Sequence, residues 1–153
     1  KQPEILLDEA AEFLGTDFPK TPNLSSGEKY IRILWSGPNR WLIIEPETRD
    51  LIAALKDIVK PEITALTDLS HGRTAIRIKG KAARDLLMKG SGLDWHTNTF
   101  APNNCAQTKL FSLAIQVDCR DFDTFDLYVA RGFAQDFWGT LVDASKEFGC
   151  EVQ

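Results

Sequence analysis

The stretch "TDLSHGRTAIRIKG", Thr67 to Gly80, places an acid, an imidazole and a guanidinium close together as Asp68, His71 and Arg73. A carboxylate three residues before a histidine can orient the ring for general-base work. An arginine beside them can clamp a carboxylate through two parallel bonds. The same residues also suit a strand followed by a turn. There Asp68 accepts bonds from the next backbone amides and Gly72 supplies backbone freedom. Arg73 then returns a charged bond to Asp68 or reaches a carboxylate on another chain. The only other histidine, His96, sits in the following loop, so we read Asp68, His71 and Arg73 as a structural and docking unit.

The remaining chemistry-bearing residues are thinner still. Cys105 in "NNCAQT" precedes a strand in a polar loop, with His96 as the only plausible base for a thiolate nucleophile. Asp118, Asp121, Asp123 and Asp126 in "VDCRDFDTFD" lack the ligand spacing and glycine turn of a calcium loop. They read as a solvated hairpin tip. Trp35 and Trp41 flank a turn, and Trp138 falls on the apolar face of the last helix. Trp95 stands in a loop rich in Asn and Thr, and a loop aromatic that needs a cover is common at subunit interfaces. Gly72, Gly80 and Gly90 make neither a phosphate loop nor a dinucleotide fingerprint. These residues compose no catalytic set, metal site or cofactor cradle.

The elements that must position these residues follow from periodicity. Ile5, Leu6, Ala10, Phe13 and Leu14 predict a helix opened by Pro3 and stopped by Gly15. Residues 16–28 read as a loop. "YIRILWSG" and "RWLIIE" alternate around Pro38 and Asn39, which predicts a hairpin. A helix is expected from Pro46 to Val59, and strands at Ile63 to Leu69 and Thr74 to Ile78. Gly80 to Gly90 reads as a helix and residues 91–104 as a long loop. Gln107 to Val117 reads as one long strand, paired across "RDFD" with Phe125 to Val129. A helix from Phe133 to Phe148 and a short strand at 151–153 close the chain. The expectation is an α+β fold with antiparallel sheets covered on one face by helices, built from repeated strand-strand-helix units in two ferredoxin-like halves.

Composition sets the outer limits. With 153 residues, 43% of them hydrophobic and 26% charged, the chain is expected to form one domain, or two subdomains at about 1–60 and 61–153. A net charge of −4 argues against a nucleic-acid partner. No run is apolar enough for a membrane span. The start reads as helix, not as a signal peptide, and without an initiator methionine we expect residues upstream. Three widely spaced cysteines argue against a disulfide framework or zinc site and favour the cytoplasm.

Longer segments carry a family resemblance. "DLSHGR" (Asp68 to Arg73) is followed by an alternating strand and by Gly80, Ala83 and Arg84 in a Gly-x-x-Ala-Arg helix. Then come Lys89-Gly90, Leu93-Asp94 with His96, and "CAQT" from Cys105 to Thr108. With "PNRWLII" (Pro38 to Ile44), "TFDLYVARGFAQDFW" (Thr124 to Trp138) and "EFG" (Glu147 to Gly149), this order resembles the gamma subunit of heterotetrameric sarcosine oxidase across residues 30–152. A similar subunit occurs in N-methylglutamate dehydrogenase-type complexes. The resemblance implies a fold similar to the folate-binding domain of glycine-cleavage aminomethyltransferase. It also implies a complex with alpha, beta and delta subunits that oxidatively demethylates sarcosine or a related N-methyl amino acid. FAD, FMN, NAD and tetrahydrofolate would belong to alpha and beta and zinc to delta, leaving this chain with no cofactor and no catalytic residue. The candidate subunit-interface residues are then Asp68, His71, Arg73, Trp95, His96 and Gln107, with His71 expected beside the loop that carries Trp95 and His96. A free-standing folate-binding protein, or an enzyme using Cys105 and His96, are the alternative readings.

Overall fold

The structure, a computed structural model, describes residues 2–28, 30–46 and 50–152. The chain divides into two compact units, Lys1–Leu69 and Ser70–Gln153.

The first unit begins with α1 (Gln2–Leu14). Leu6, Ala10 and Leu14 recur every fourth residue and are buried. Gly15 ends the helix at a φ of 69°, a conformation that suits a residue without a Cβ. Strands β1 (Ser25–Ser26), β2 (Arg32–Gly37) and β3 (Arg40–Ile44) form an antiparallel sheet in that order. The expected hairpin is present, and Trp35 stands directly opposite Trp41. Asn39 takes the left-handed turn position at a φ of 54°. Trp41 packs edge-on to Phe18 and donates its Nε1 hydrogen to the Pro19 carbonyl at 2.8 Å, so the preceding loop is fixed to the sheet. Helix α2 (Leu51–Lys56) is capped by Asp50, whose carboxylate accepts from the Ala53 amide at 2.9 Å. Residues 47–49 of the longer helix expected from the sequence lie outside the described residues. Ile63 to Leu69 is not a strand: it runs from a turn into irregular chain, and most of it is exposed.

The second unit holds β4 (Arg73–Lys79), α3 (Ala83–Gly90), β5 (Cys105–Leu110), β6 (Leu113–Asp121), β7 (Thr124–Ala130) and α4 (Ala134–Ser145). Its sheet runs β4-β7-β6-β5, antiparallel throughout. One sheet face carries Ile76, Ile115, Val117, Leu127 and Val129, and Leu87 of α3 and Phe137 of α4 pack into the same core. The α+β class with helices on one sheet face is therefore observed.

The long strand expected from Gln107 to Val117 is instead two strands joined at Phe111 and Ser112, with φ of 48° and 77°. Positive φ at both central residues gives the twist a two-residue hairpin needs, normally supplied by Asn-Gly. Here packing stabilises the turn. The Phe111 ring lies so close to Gly90 that a Cβ there would meet it at 2.7 Å, and the Phe111 amide bonds the Gly90 carbonyl at 2.9 Å. On α4 the buried stripe is Phe137, Leu141 and Ser145; Trp138, one position round the helix, is 41% exposed and not in the core. No strand forms at Glu151 and Val152, and residue 153 is outside the described set.

Candidate functional site

Alternation along the second sheet gives its other face a different chemistry. Ala75, Tyr128, Gln116 and Gln107 share one register row, and Arg77, Asp126, Asp118 and Cys105 share the next but one along that face. Asp118 and Asp126 are buried, which corrects the reading of these acids as a solvated hairpin tip. A buried carboxylate needs a compensating cation or donors. Arg77 supplies a two-point bond to Asp126 at 2.6 and 2.8 Å, and Arg120 reaches Asp126 at 3.5 Å and Asp118 at 3.9 Å. The Asp126 hydrogen bond also raises the Arg77 pKa, so the guanidinium keeps its charge. Two acids and two bases thus neutralise one another on this face.

The loop after α3 is held by Arg84. Its guanidinium donates to the carbonyls of Trp95 at 2.5 Å, Phe100 at 2.9 Å and Phe122 at 2.9 Å, and it lies 5.0 Å from the Phe125 ring centre. Only 1% of Trp95 is exposed, and its ring meets Phe100 and Phe125 edge-on. Trp95 is therefore covered by its own unit and needs no partner for cover, contrary to expectation. Asp94 accepts from the His96 amide at 2.9 Å, and the Thr99 and Phe100 amides bond the His96 carbonyl. The bond from His96 is the main reason the Asp94 carboxyl titrates below its ordinary range, with Thr99 adding to it. "LDWHTNTF" is thus a closed turn that leaves the His96 ring exposed.

Asp68, His71 and Arg73 are exposed where the chain enters β4, and Gln107 is exposed on β5. The predicted patch joining His71 to the Trp95 loop does not form. Arg84 ties that loop to Phe122, in the turn beside Lys79, while Arg73 opens the same strand six residues earlier, roughly 20 Å away at about 3.3 Å per residue. Cys105 is a buried strand residue and not a loop thiol. Cys119 is also buried, and burial pushes its thiol up to about 11, which leaves it protonated at neutral pH. None of the three cysteines is in a disulfide, and among the described residues no three His, Cys, Asp or Glu are grouped to hold a metal ion. No described helix is long and apolar enough to cross a membrane. Gln116 is buried with its Nε2 donor unpartnered, an arrangement that costs about 1–3 kcal/mol.

Residues 8–147 match the family described as "Sarcosine oxidase, gamma subunit family". The chain belongs to this family. Among curated relatives, "Sarcosine oxidase subunit gamma" of Corynebacterium sp. (strain P-1) is 28% identical over 142 residues, covering 92% of this chain and 70% of the relative. The protein of that name from Arthrobacter sp. is 27% identical, covering 90% and 68%. The one from Corynebacterium sp. (strain U-96) is 26% identical, and there the match spans 76% of this chain and only 57% of the relative. A chain of the solved heterotetrameric sarcosine oxidase from Corynebacterium sp. U-96, in complex with pyrrole 2-carboxylate, superposes with a TM-score of 0.88 at 24% identity, covering 97% of this chain and 77% of that one. The gamma-family fold therefore extends over nearly the whole chain, the first unit included.

Proposed function

We propose that this chain is the gamma subunit of a heterotetrameric complex of the sarcosine oxidase type and acts as an assembly subunit without catalytic residues. The family match along residues 8–147 carries this reading. The geometry is consistent with it: Arg77, Arg120, Asp118 and Asp126 neutralise one another, Arg84 is engaged by three carbonyls, and Cys119 is held as a thiol. In this proposal the complex oxidatively demethylates sarcosine or a related N-methyl amino acid and yields formaldehyde or methylene-tetrahydrofolate. Alpha and beta subunits hold FAD, FMN, NAD and tetrahydrofolate, and a delta subunit holds zinc. The assembly works in the cytoplasm.

Partner contact falls to two regions. In the second unit, His71 and Arg73 at the entrance to β4 and Gln107 on β5 form one set, with Asp68 a candidate at the end of the first unit, and the exposed ring of His96 marks the other. The four subunits should be co-expressed with His71→Ala or His96→Ala in this chain. The expected result is a lower yield of assembled complex, with turnover per assembled complex near that of the parent. Intact assembly with a loss of about a hundredfold or more in turnover would place these residues in a catalytic site and overturn the reading.

A further inference from the structure

We propose that the cleft at the Arg73 end of the second sheet is a binding site for a carboxylate. The cleft holds about 410 Å³ and is lined by Arg73, Gln107, Lys109, Ser112, Ala114 and Gln116 among others. Register explains its shape. Arg73 stands opposite Ala130, and Lys109 opposite Ala114. Ala130 directly follows Val129 and Ala114 directly precedes Ile115, and Val129 and Ile115 pair across β6 and β7, so the two alanines lie at the same end of these antiparallel strands. Two cations on the edge strands thus flank two alanines on the central strands, roughly 14 Å apart at about 4.8 Å per strand. Arg73 and Lys109 both line the cleft, and Ala114 adds no bulk to its floor.

Three independent features give this cleft its chemistry. Neither Arg73 nor Lys109 makes an ion pair with a described residue, whereas Arg77 and Arg120 on the same sheet do. The cleft lining contains no acid, in a chain whose net charge is −4. Gln116, 2% exposed, carries an amide donor that no acceptor meets. The torsion that turns this amide is broad, so its N–H swings toward a ligand at little energy. A ligand that satisfies all three is an anion that also accepts a hydrogen bond. The fork of Arg73 matches the two oxygens of a planar carboxylate, Lys109 supplies a second, mobile charge, and Gln116 supplies the neutral donor. There is no helix N-terminus or glycine-rich nest at this place to favour a phosphate instead.

The carboxylate comes either from a free small acid or from an acidic side chain of a neighbouring subunit, and two arms of one experiment separate them. The isolated chain, labelled with nitrogen-15, is titrated with glutarate, acetate, phosphate and chloride at constant ionic strength. Saturable movement of the Gln116 side-chain amide by glutarate or acetate, but not by chloride or phosphate, identifies a free-acid site. That movement should be lost in Arg73→Ala/Lys109→Ala, with the remaining spectrum intact. If no free acid binds, the second arm measures co-assembly of Arg73→Glu/Lys109→Glu with the partner subunits. A loss of assembly at least tenfold greater than for the double alanine variant then assigns the carboxylate to a partner. This arm alone rests on the gamma-subunit reading, so a failed assembly of the parent chain is distinguishable from a failed cleft. Equal response to all four anions, or no response in either arm, overturns the proposal.

Discussion

Removing the Arg84 guanidinium should unfasten the loop between α3 and β5. Three carbonyls, those of Trp95, Phe100 and Phe122, lose their donor, and Phe125 loses a cation 5.0 Å from its ring centre. Hydrogen bonds to a charged group contribute about 1.5–3 kcal/mol each when dry. Arg84 is only half-buried, so water replaces part of each bond in Arg84→Ala, and we take about 1 kcal/mol for each. Adding about 0.5–1 kcal/mol for the ring contact gives a loss of about 3.5–4 kcal/mol, a large share of a typical domain's stability. Urea unfolding followed by far-ultraviolet circular dichroism measures this as a lower midpoint at unchanged slope. Native-state hydrogen exchange should localise it: the Thr99 and Phe100 amides, which bond the His96 carbonyl at 2.9 and 2.8 Å, lose protection before the β4–β7 ladder does. Arg84→Lys, a point donor able to reach one carbonyl at a time, should recover about a third of the loss. A loss under about 1 kcal/mol for Arg84→Ala, or full recovery by lysine, would refute the clamp.

Gly90→Ala should lower stability by about 1–3 kcal/mol, because its Cβ would meet the Phe111 ring at 2.7 Å; a midpoint equal to the parent in urea would show that the ring yields freely. Asp126→Ala should cost about 2–3 kcal/mol and Arg77→Ala only about 1, since Asp126 is buried, Arg77 is largely exposed, and Arg120 at 3.5 Å still serves Asp126 in the second variant. Equal losses in thermal unfolding would contradict that asymmetry. In the native protein at pH 8, a thiol reagent should modify exposed Cys150 quickly and reach buried Cys105 and Cys119 only on unfolding. The Cys119 thiol is raised from 9.0 to about 11 by burial, so the unfolded chain loses this proton first and stability should fall as pH rises through that window. A Cys119→Ala variant should lack that part of the alkaline decline; an unchanged decline would count against it.

How far the sequence reveals the fold depends on whether a local rule or a distant contact decides each element. The β2–β3 hairpin is legible because alternation and a Pro-Asn turn agree, and Trp35 indeed faces Trp41. The β5–β6 hairpin is not, because "KLFSLAI" contains no Gly, Pro, Asn or Asp. Its left-handed Phe111 and Ser112 are held by packing on Gly90, twenty-one residues back. Trp138 looks like core from composition alone, but the stripe Phe137, Leu141 and Ser145 fixes the helix one position away.

The site residues divide in the same way. Asp118 and Asp126 sit among turn-like residues in "VDCRDFDTFD", and their burial goes with ion pairs that the local sequence does not show, Arg77 and Arg120 on Asp126 and Arg120 on Asp118. Trp95 sits in a polar loop, yet Arg84 folds that loop onto the core through carbonyls 11, 16 and 38 residues away. Arg84 was visible only as one letter in a helix motif. Gln116 gave no signal either, since a glutamine inside an apolar strand is legible as a wall residue only once the register is known.

The role assigned to this chain is tested most directly by native mass spectrometry of the tagged protein co-expressed with candidate alpha, beta and delta subunits, coupled to sarcosine turnover. The account predicts a one-to-one-to-one-to-one assembly that turns over sarcosine or a related N-methyl amino acid, with flavin found only in assemblies and never on the isolated chain. A tagged chain that remains alone while the other three assemble and turn over without it, or that by itself holds a flavin or a reduced folate through gel filtration, would contradict it.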